Sequence, residues 1–189
     1  AILTLFIIFS LLVLGIIDDK ISLKPLNKTL ISMLIFFAFL SIRIDYQIVG
    51  LIFATTNFWL DLFGLSLIFT VLCFVTLQIL LNMYDGINLQ SALYYGVILI
   101  YLVFVNQNNN FSIFCTLTLV YLAFFSIYNY RQKTFLGDNG VYIFSFILSL
   151  LIIKTYKNNY MNFFVEEIIV ILFIPLIDML RLFFTRILK

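Results

Sequence analysis

Residues 86–130 contain no charged side chain. The stretch is apolar apart from the tract Asn106-Gln107-Asn108-Asn109-Asn110. It is long enough for two membrane-crossing helices of about 20 residues each, joined by a polar hairpin. The rest of the chain agrees: over 189 residues it is 64% hydrophobic, 19% aromatic and 11% charged, with a mean hydropathy of +1.16. A soluble domain of this size has no interior large enough for that much apolar surface, so the surrounding solvent is lipid. The expected fold is all-α, a polytopic integral membrane helical bundle with about seven spans near 2–17, 26–42, 62–81, 89–105, 111–128, 140–153 and 165–185. Residues 44–61, interrupted by Asp45, Asn57 and Asp61, read as a connector, and the Asn-rich tract as a solvated loop tip.

Several classes of function fall away. The chain has no histidine, which removes imidazole acid–base chemistry. Cys73 and Cys115 lie inside apolar runs and read as packing residues, not as a disulfide or metal site. A net charge of +2 gives no argument for nucleic acid. The chain starts at Ala1 without a basic leader and stops just after Arg186 and Lys189. It therefore reads as a single transmembrane domain over 1–189, cut from a longer protein at both ends.

Alternation of the spans sorts the charges by side. Lys20, Lys24, Lys28, Arg131, Lys133, Arg181, Arg186 and Lys189 fall on one face, and Arg43, Lys154 and Lys157 on the other. The cation-rich face is cytoplasmic by the positive-inside rule. Asp18, Asp19, Asp85 and Asp138 all fall on that same face, and a shared site is the economical explanation. Adjacent carboxylates beside a span disfavour each other and resist desolvation, unless a cation such as a phosphate-bearing divalent metal neutralises them.

Four constellations carry the chemistry. Gly15-Ile16-Ile17-Asp18-Asp19-Lys20 precedes Pro25, which suits a first helical turn, so the acids are expected on a short inter-helix loop. A solvated loop that merely ends a span is the competing reading. Asn82-Met83-Tyr84-Asp85-Gly86-Ile87-Asn88 sets an amide and a carboxylate three apart, on one face of a continuing helix, and Gly86 allows a bend that turns N–H groups to a ligand. An ordinary cap and turn would use the same residues. Asn129 to Gly140, with Arg131, Lys133, Phe135, Gly137 and Asp138, combines cations, an aromatic and a glycine-bracketed acid before a helix amino terminus, a combination suited to phosphate and Mg2+. Finally, Asp178 and Arg181 are at helical spacing after Pro175, where an intramembrane ion pair is the leading reading.

In this order the segments resemble the polyprenyl-phosphate N-acetylhexosamine-1-phosphate transferases (glycosyltransferase family 4). Those enzymes carry a Gly-x-x-Asp-Asp loop, an Asn-x-x-Asp-Gly-x-Asp/Asn loop, a Lys-x-Phe-Met/Leu-Gly-Asp-x-Gly loop and a later span with Pro, Asp and Arg. The resemblance covers nearly the whole chain. It implies that Asp18 and Asp19 hold or activate a lipid phosphate, that Asp138 is the principal Mg2+ ligand, and that Asp85 is a second acid of the catalytic and metal centre. It implies further that Asn82, Asn88, Lys133 and Phe135 bind the uridine diphosphate part of a donor. Lys28, Gly137 and Asn129 complete the substrate-binding set. Mg2+ is the implied cofactor, with Mn2+ as its substitute. Undecaprenyl phosphate, a UDP-N-acetylhexosamine and the lipid bilayer are the implied partners, and a homodimer is an option. The site would face the cytoplasm from the inner membrane. In two departures from the family, Leu89 stands where a glycine is usual and Asn129 lies one residue nearer Asp138. The first favours a GlcNAc-1-phosphate donor over the muramoyl-pentapeptide type. The family's His-containing loop would follow the last span, and a piece lacking it is expected to be inactive. The alternative from another class is a transporter fragment with acids lining an ion pathway, which needs those acids at mid-span depth. The transferase reading instead requires Asp18, Asp19, Asp85 and Asp138 to converge on one metal-centred cluster.

Overall fold

In lipid every backbone N–H and C=O must be paired within the protein, so long apolar runs have helix as their available state. The computed structural model describes residues 2–54, 58–86, 89–106, 109–134, 136–159 and 163–187. In chain order it contains α1 (Ile2–Ile21), α2 (Pro25–Ile42), β1 (Gly50–Phe53), β2 (Phe58–Asp61), α3 (Ser66–Tyr84), α4 (Gln90–Val105), α5 (Asn109–Tyr130), α6 (Gly137–Asn158) and α7 (Val165–Ile187). Six helices are long and apolar enough to cross a membrane, and α4, with 16 residues, is shorter. The protein is an all-α polytopic membrane bundle with one small hairpin.

Each expected span is a helix, and several run further than their apolar stretch. α1 continues through Ile21, so Asp18 and Asp19 occupy its last turn and not the loop that the sequence suggested. Hydropathy ends at the first charge, whereas helical hydrogen bonding continues for as long as the backbone gains from it. For the same reason Lys154 and Lys157 lie within α6.

The connector folds as an antiparallel hairpin, pairing Gly50 with Asp61 and Phe53 with Phe58. Its register is fixed from α6. The Tyr156 hydroxyl accepts from the Ile52 N–H at 2.7 Å and donates to the Gly50 carbonyl at 3.1 Å. Lys157 Nζ donates to the Asp45 and Gln47 carbonyls at 2.8 and 3.2 Å.

The core joins α2, α3 and α6 through an aromatic cluster. Phe36 and Phe74 rings lie 5.3 Å apart, and Phe39 meets Phe146 edge-on at 5.2 Å, the offset geometries that ring quadrupoles favour. α1 lies along α6 and α4 along α5. The outer surface is apolar as well: Phe104 is 81% and Val170 71% exposed. Such a surface suits acyl chains and not water.

Candidate active site

The site forms where α1 ends and α2 and α6 begin. The negative end of α1's dipole disfavours Asp18 and Asp19, and the positive end of α2 disfavours Lys28. The short turn through Ser22, Leu23 and Lys24 brings these two mismatches together, so each relieves the other. Lys28 Nζ donates to Asp18 Oδ2 at 2.9 Å and to Asp138 Oδ2 at 2.8 Å. One ammonium thus ties the acid of the first motif to the acid of the third, across 110 positions of sequence.

The two acids of the pair have different surroundings. Asp18 is 6% exposed and fully engaged: Oδ1 accepts the Leu23 N–H at 2.9 Å, while Oδ2 takes Lys28 and the Tyr142 hydroxyl, the latter at 3.2 Å. Asp19 is exposed, and one of its oxygens accepts from Asn139 Nδ2 at 2.7 Å. Asn139 in turn lies against Gly15, where an added Cβ would come 2.0 Å from Asn139 Oδ1. Glycine at 15 therefore lets α1 and α6 approach closely enough for the Asp19 contact. Asp138 stands in the first turn of α6, the end of a helix that favours a carboxylate, with 31% of its side chain exposed. Gly137 takes φ +62°, a left-handed conformation that glycine adopts without steric penalty, and so starts α6 with Asp138 aimed at Lys28.

Asp85 reaches the centre by another route. It caps α3 and is half-buried, and that burial pushes its carboxyl above the usual range. With Asn82, Gly86, Pro25, Thr29 and Lys28 it lines a cleft of about 750 Å³, which Leu182 of α7 also walls. Lys28 is the residue common to the acid cluster and the cleft. Asp18, Asp19 and Asp138 therefore converge, and Asp85 lines the same cleft as Lys28. The single metal-centred cluster expected from the sequence is not what forms: among the described residues no group of three His, Cys, Asp or Glu side chains could hold a metal ion.

That donor set still fits Mg2+ of a particular kind. Mg2+ keeps several waters and commonly binds one or two carboxylates plus substrate phosphates. The partly exposed Asp138 suits a hydrated ion arriving with a diphosphate, whereas Asp18, with both oxygens engaged, does not.

Other expected residues take different places. Asn129 is 5% exposed, and both ends of its amide are committed to backbone. Its Oδ1 accepts the Leu89 N–H at 2.6 Å and its Nδ2 donates to the Thr134 carbonyl at 2.7 Å. It clamps two loops together, so in this structure it serves the shape of the site, and the substrate-binding role expected of it has no direct counterpart here. Gly86 does not aim its N–H at a ligand; that N–H bonds the Tyr84 carbonyl at 2.9 Å. The left-handed residue near the second motif is Leu89, at φ +68°. Lys133 stands exposed on the turn before α6. Asn88 and Phe135 lie outside the described residues. Asp178 pairs with Arg181 at 2.6 Å within α7, the structural role expected.

Sequence reasoning gave no role to Asn139 or Tyr142. Tyr142 was within reach of it: four residues after Asp138, it shares that acid's helical face. The family model for glycosyl transferase family 4 matches residues 1–156, which contain Asp18, Asp19, Lys28, Asp85 and Asp138. No curated protein matches the chain.

Proposed function

The chain belongs to glycosyl transferase family 4, a family of membrane phospho-sugar transferases, and from that premise we propose that it moves an N-acetylhexosamine 1-phosphate from a UDP-sugar to undecaprenyl phosphate. The favoured donor is UDP-GlcNAc, the product a lipid diphosphate sugar for cell-envelope polysaccharide, and the site faces the cytoplasm of the inner membrane. The supporting observation is the ammonium of Lys28 held between Asp18 and Asp138 at the mouth of a cleft shared with Asp85. Transport would place the acids at mid-span depth, yet Asp18 and Asp138 stand in terminal turns of α1 and α6.

Both reactants are anions, so charge is the first obstacle. Mg2+, when bound with the donor, would neutralise the diphosphate and favour departure of UMP. The protein's own groups do the rest. Asp18 anchors Lys28, and Lys28 fixes the orientation of Asp138, the residue that would hold the metal. The amino terminus of α6 and the nearby Lys133 would offer further positive potential to phosphate oxygens. Exposed Asp19, in the last turn of α1, would receive the lipid phosphate. A phosphate monoester is largely ionised at neutral pH, so its oxygen needs placement more than deprotonation. In the balanced step that oxygen forms a bond to the sugar-linked phosphorus as the bond to the UMP oxygen breaks. The cleft lined by Asn82, Asp85 and Gly86 would receive the uridine end.

Release of UMP from UDP-GlcNAc by the intact protein, with undecaprenyl phosphate and Mg2+ present, tests the reading. Asp138→Ala should lower the rate by about 10²–10³-fold, the range for losing one preorganised electrostatic group. Full activity in that variant would refute the metal assignment.

A further inference from the structure

Pro175 lies inside α7 and has no N–H, so the Ile171 carbonyl, four residues earlier, loses its helical donor. In a membrane such a carbonyl must find another partner. It finds one on α4: the Tyr94 hydroxyl donates to the Ile171 carbonyl. The Tyr94 ring also packs on Tyr84, with centroids 5.1 Å apart, and Tyr84 immediately precedes Asp85. On the other side of Pro175, Leu182 walls the cleft that Asp85 lines.

These contacts form one chain from the acid loop to the cleft wall. We propose that Tyr94 is a positioning residue whose hydroxyl latches the Pro175 break in α7, setting the distance between the C-terminal half of α7 and the Asp85 side of the cleft. A proline break is a defined place for a helix to bend, and the bend angle is free unless a neighbour holds it. α7 packs along α3, and the Tyr94 hydroxyl adds a fixed point at the break from α4, which its ring contact with Tyr84 ties to the end of α3. The ligand affected is whatever the cleft receives, a nucleotide sugar on the transferase reading, on which the kinetic part of this inference rests.

Proline chemistry supplies an internal control. In Pro175→Ala the new N–H can bond the Ile171 carbonyl itself, so the Tyr94 hydroxyl becomes dispensable there. Spin labels at positions 26 and 185, in a background with Cys73 and Cys115 replaced, read the distance across the cleft mouth by pulsed EPR on the intact protein in nanodiscs. Tyr94→Phe should broaden that distribution towards longer distances. Pro175→Ala and the double variant should both keep it narrow. In parallel, Tyr94→Phe should raise KM for the nucleotide sugar roughly tenfold, the scale of one buried hydrogen bond, with little change in kcat, and the double variant should recover. An unchanged distribution in Tyr94→Phe, or equal broadening in the Pro175→Ala background, overturns the latch. If the distances behave as stated while no sugar nucleotide is turned over, the transferase reading fails and the latch stands.

Discussion

The two ends of the bundle both carry charge, but they use it differently. At the hairpin end Arg43 pairs with Asp45 two residues away, through hydrogen bonds of 2.8 and 2.6 Å, and Lys157 is spent on two backbone carbonyls. Charge there is spent on fixing a connector in place. At the acid end Asp18 of α1 and Asp138 of α6 share one cation from α2, Asp19 bonds Asn139 beside them, and Asp85 lines the same cleft as that cation. On the proposed function, it is this cluster that would take up a further cation together with the donor's phosphates. Charge spent on a connector serves the fold, whereas acids from two helices sharing one cation beside a cleft form an arrangement suited to binding.

Breaking the cation at each end should expose the difference most strongly. Lys28→Met leaves Asp18 buried without its counter-charge and should destabilise the protein by about 3 kcal/mol, with part regained on adding Asp18→Asn. Arg43→Gln, in an exposed pair, should cost under about 1 kcal/mol. Thermal unfolding in matched detergent compares the two, and equal losses would erase the contrast. Glycines extend it by sterics. Gly15→Ala must push Asn139 off Asp19 and should cost about 2 kcal/mol along with activity. At the hairpin end Gly64→Ala meets nothing within 4 Å and should stay within about 0.5 kcal/mol.

The smallest effect is in pH. Burial raises the Asp85 carboxyl, so it takes up a proton at a higher pH than an ordinary aspartate. If its ionised form is required, the rate should fall up to about tenfold per pH unit on an acid limb lying above the ordinary carboxylate range. Asp85→Asn should remove that limb. Asp45 behaves oppositely. Its hydrogen bonds to Arg43 hold it below the usual range, so its contribution to stability is complete above that range and is lost only as pH falls through the lowered value. Turnover should not follow it. An acid limb in the ordinary range would remove Asp85 from the chemistry.

The same contrast explains what could be read beforehand. Helices were legible because lipid leaves apolar runs little alternative, and the side shared by Asp18, Asp85 and Asp138 followed from counting spans. The hairpin was not: its strands are four residues each, and its pairing is fixed by Tyr156, far along the chain. Nor could sequence show Lys28 shared between acids or Asn139 seated against Gly15, which depend on where α6 meets α1 and α2, or Asn129 spent on backbone, which depends on how the loops beside α4 and α5 meet. Composition shows which groups are scarce, and packing decides which of them are free.

The central claim is that the acid end, and not the hairpin end, takes up a divalent cation together with a diphosphate. Mn2+ binding to the intact protein, followed by EPR with and without UDP, tests it directly. The account predicts tight binding only when UDP is present, lost in Asp138→Asn and unchanged in Asp45→Asn. Equal binding in Asp138→Asn, or its loss in Asp45→Asn, would contradict it.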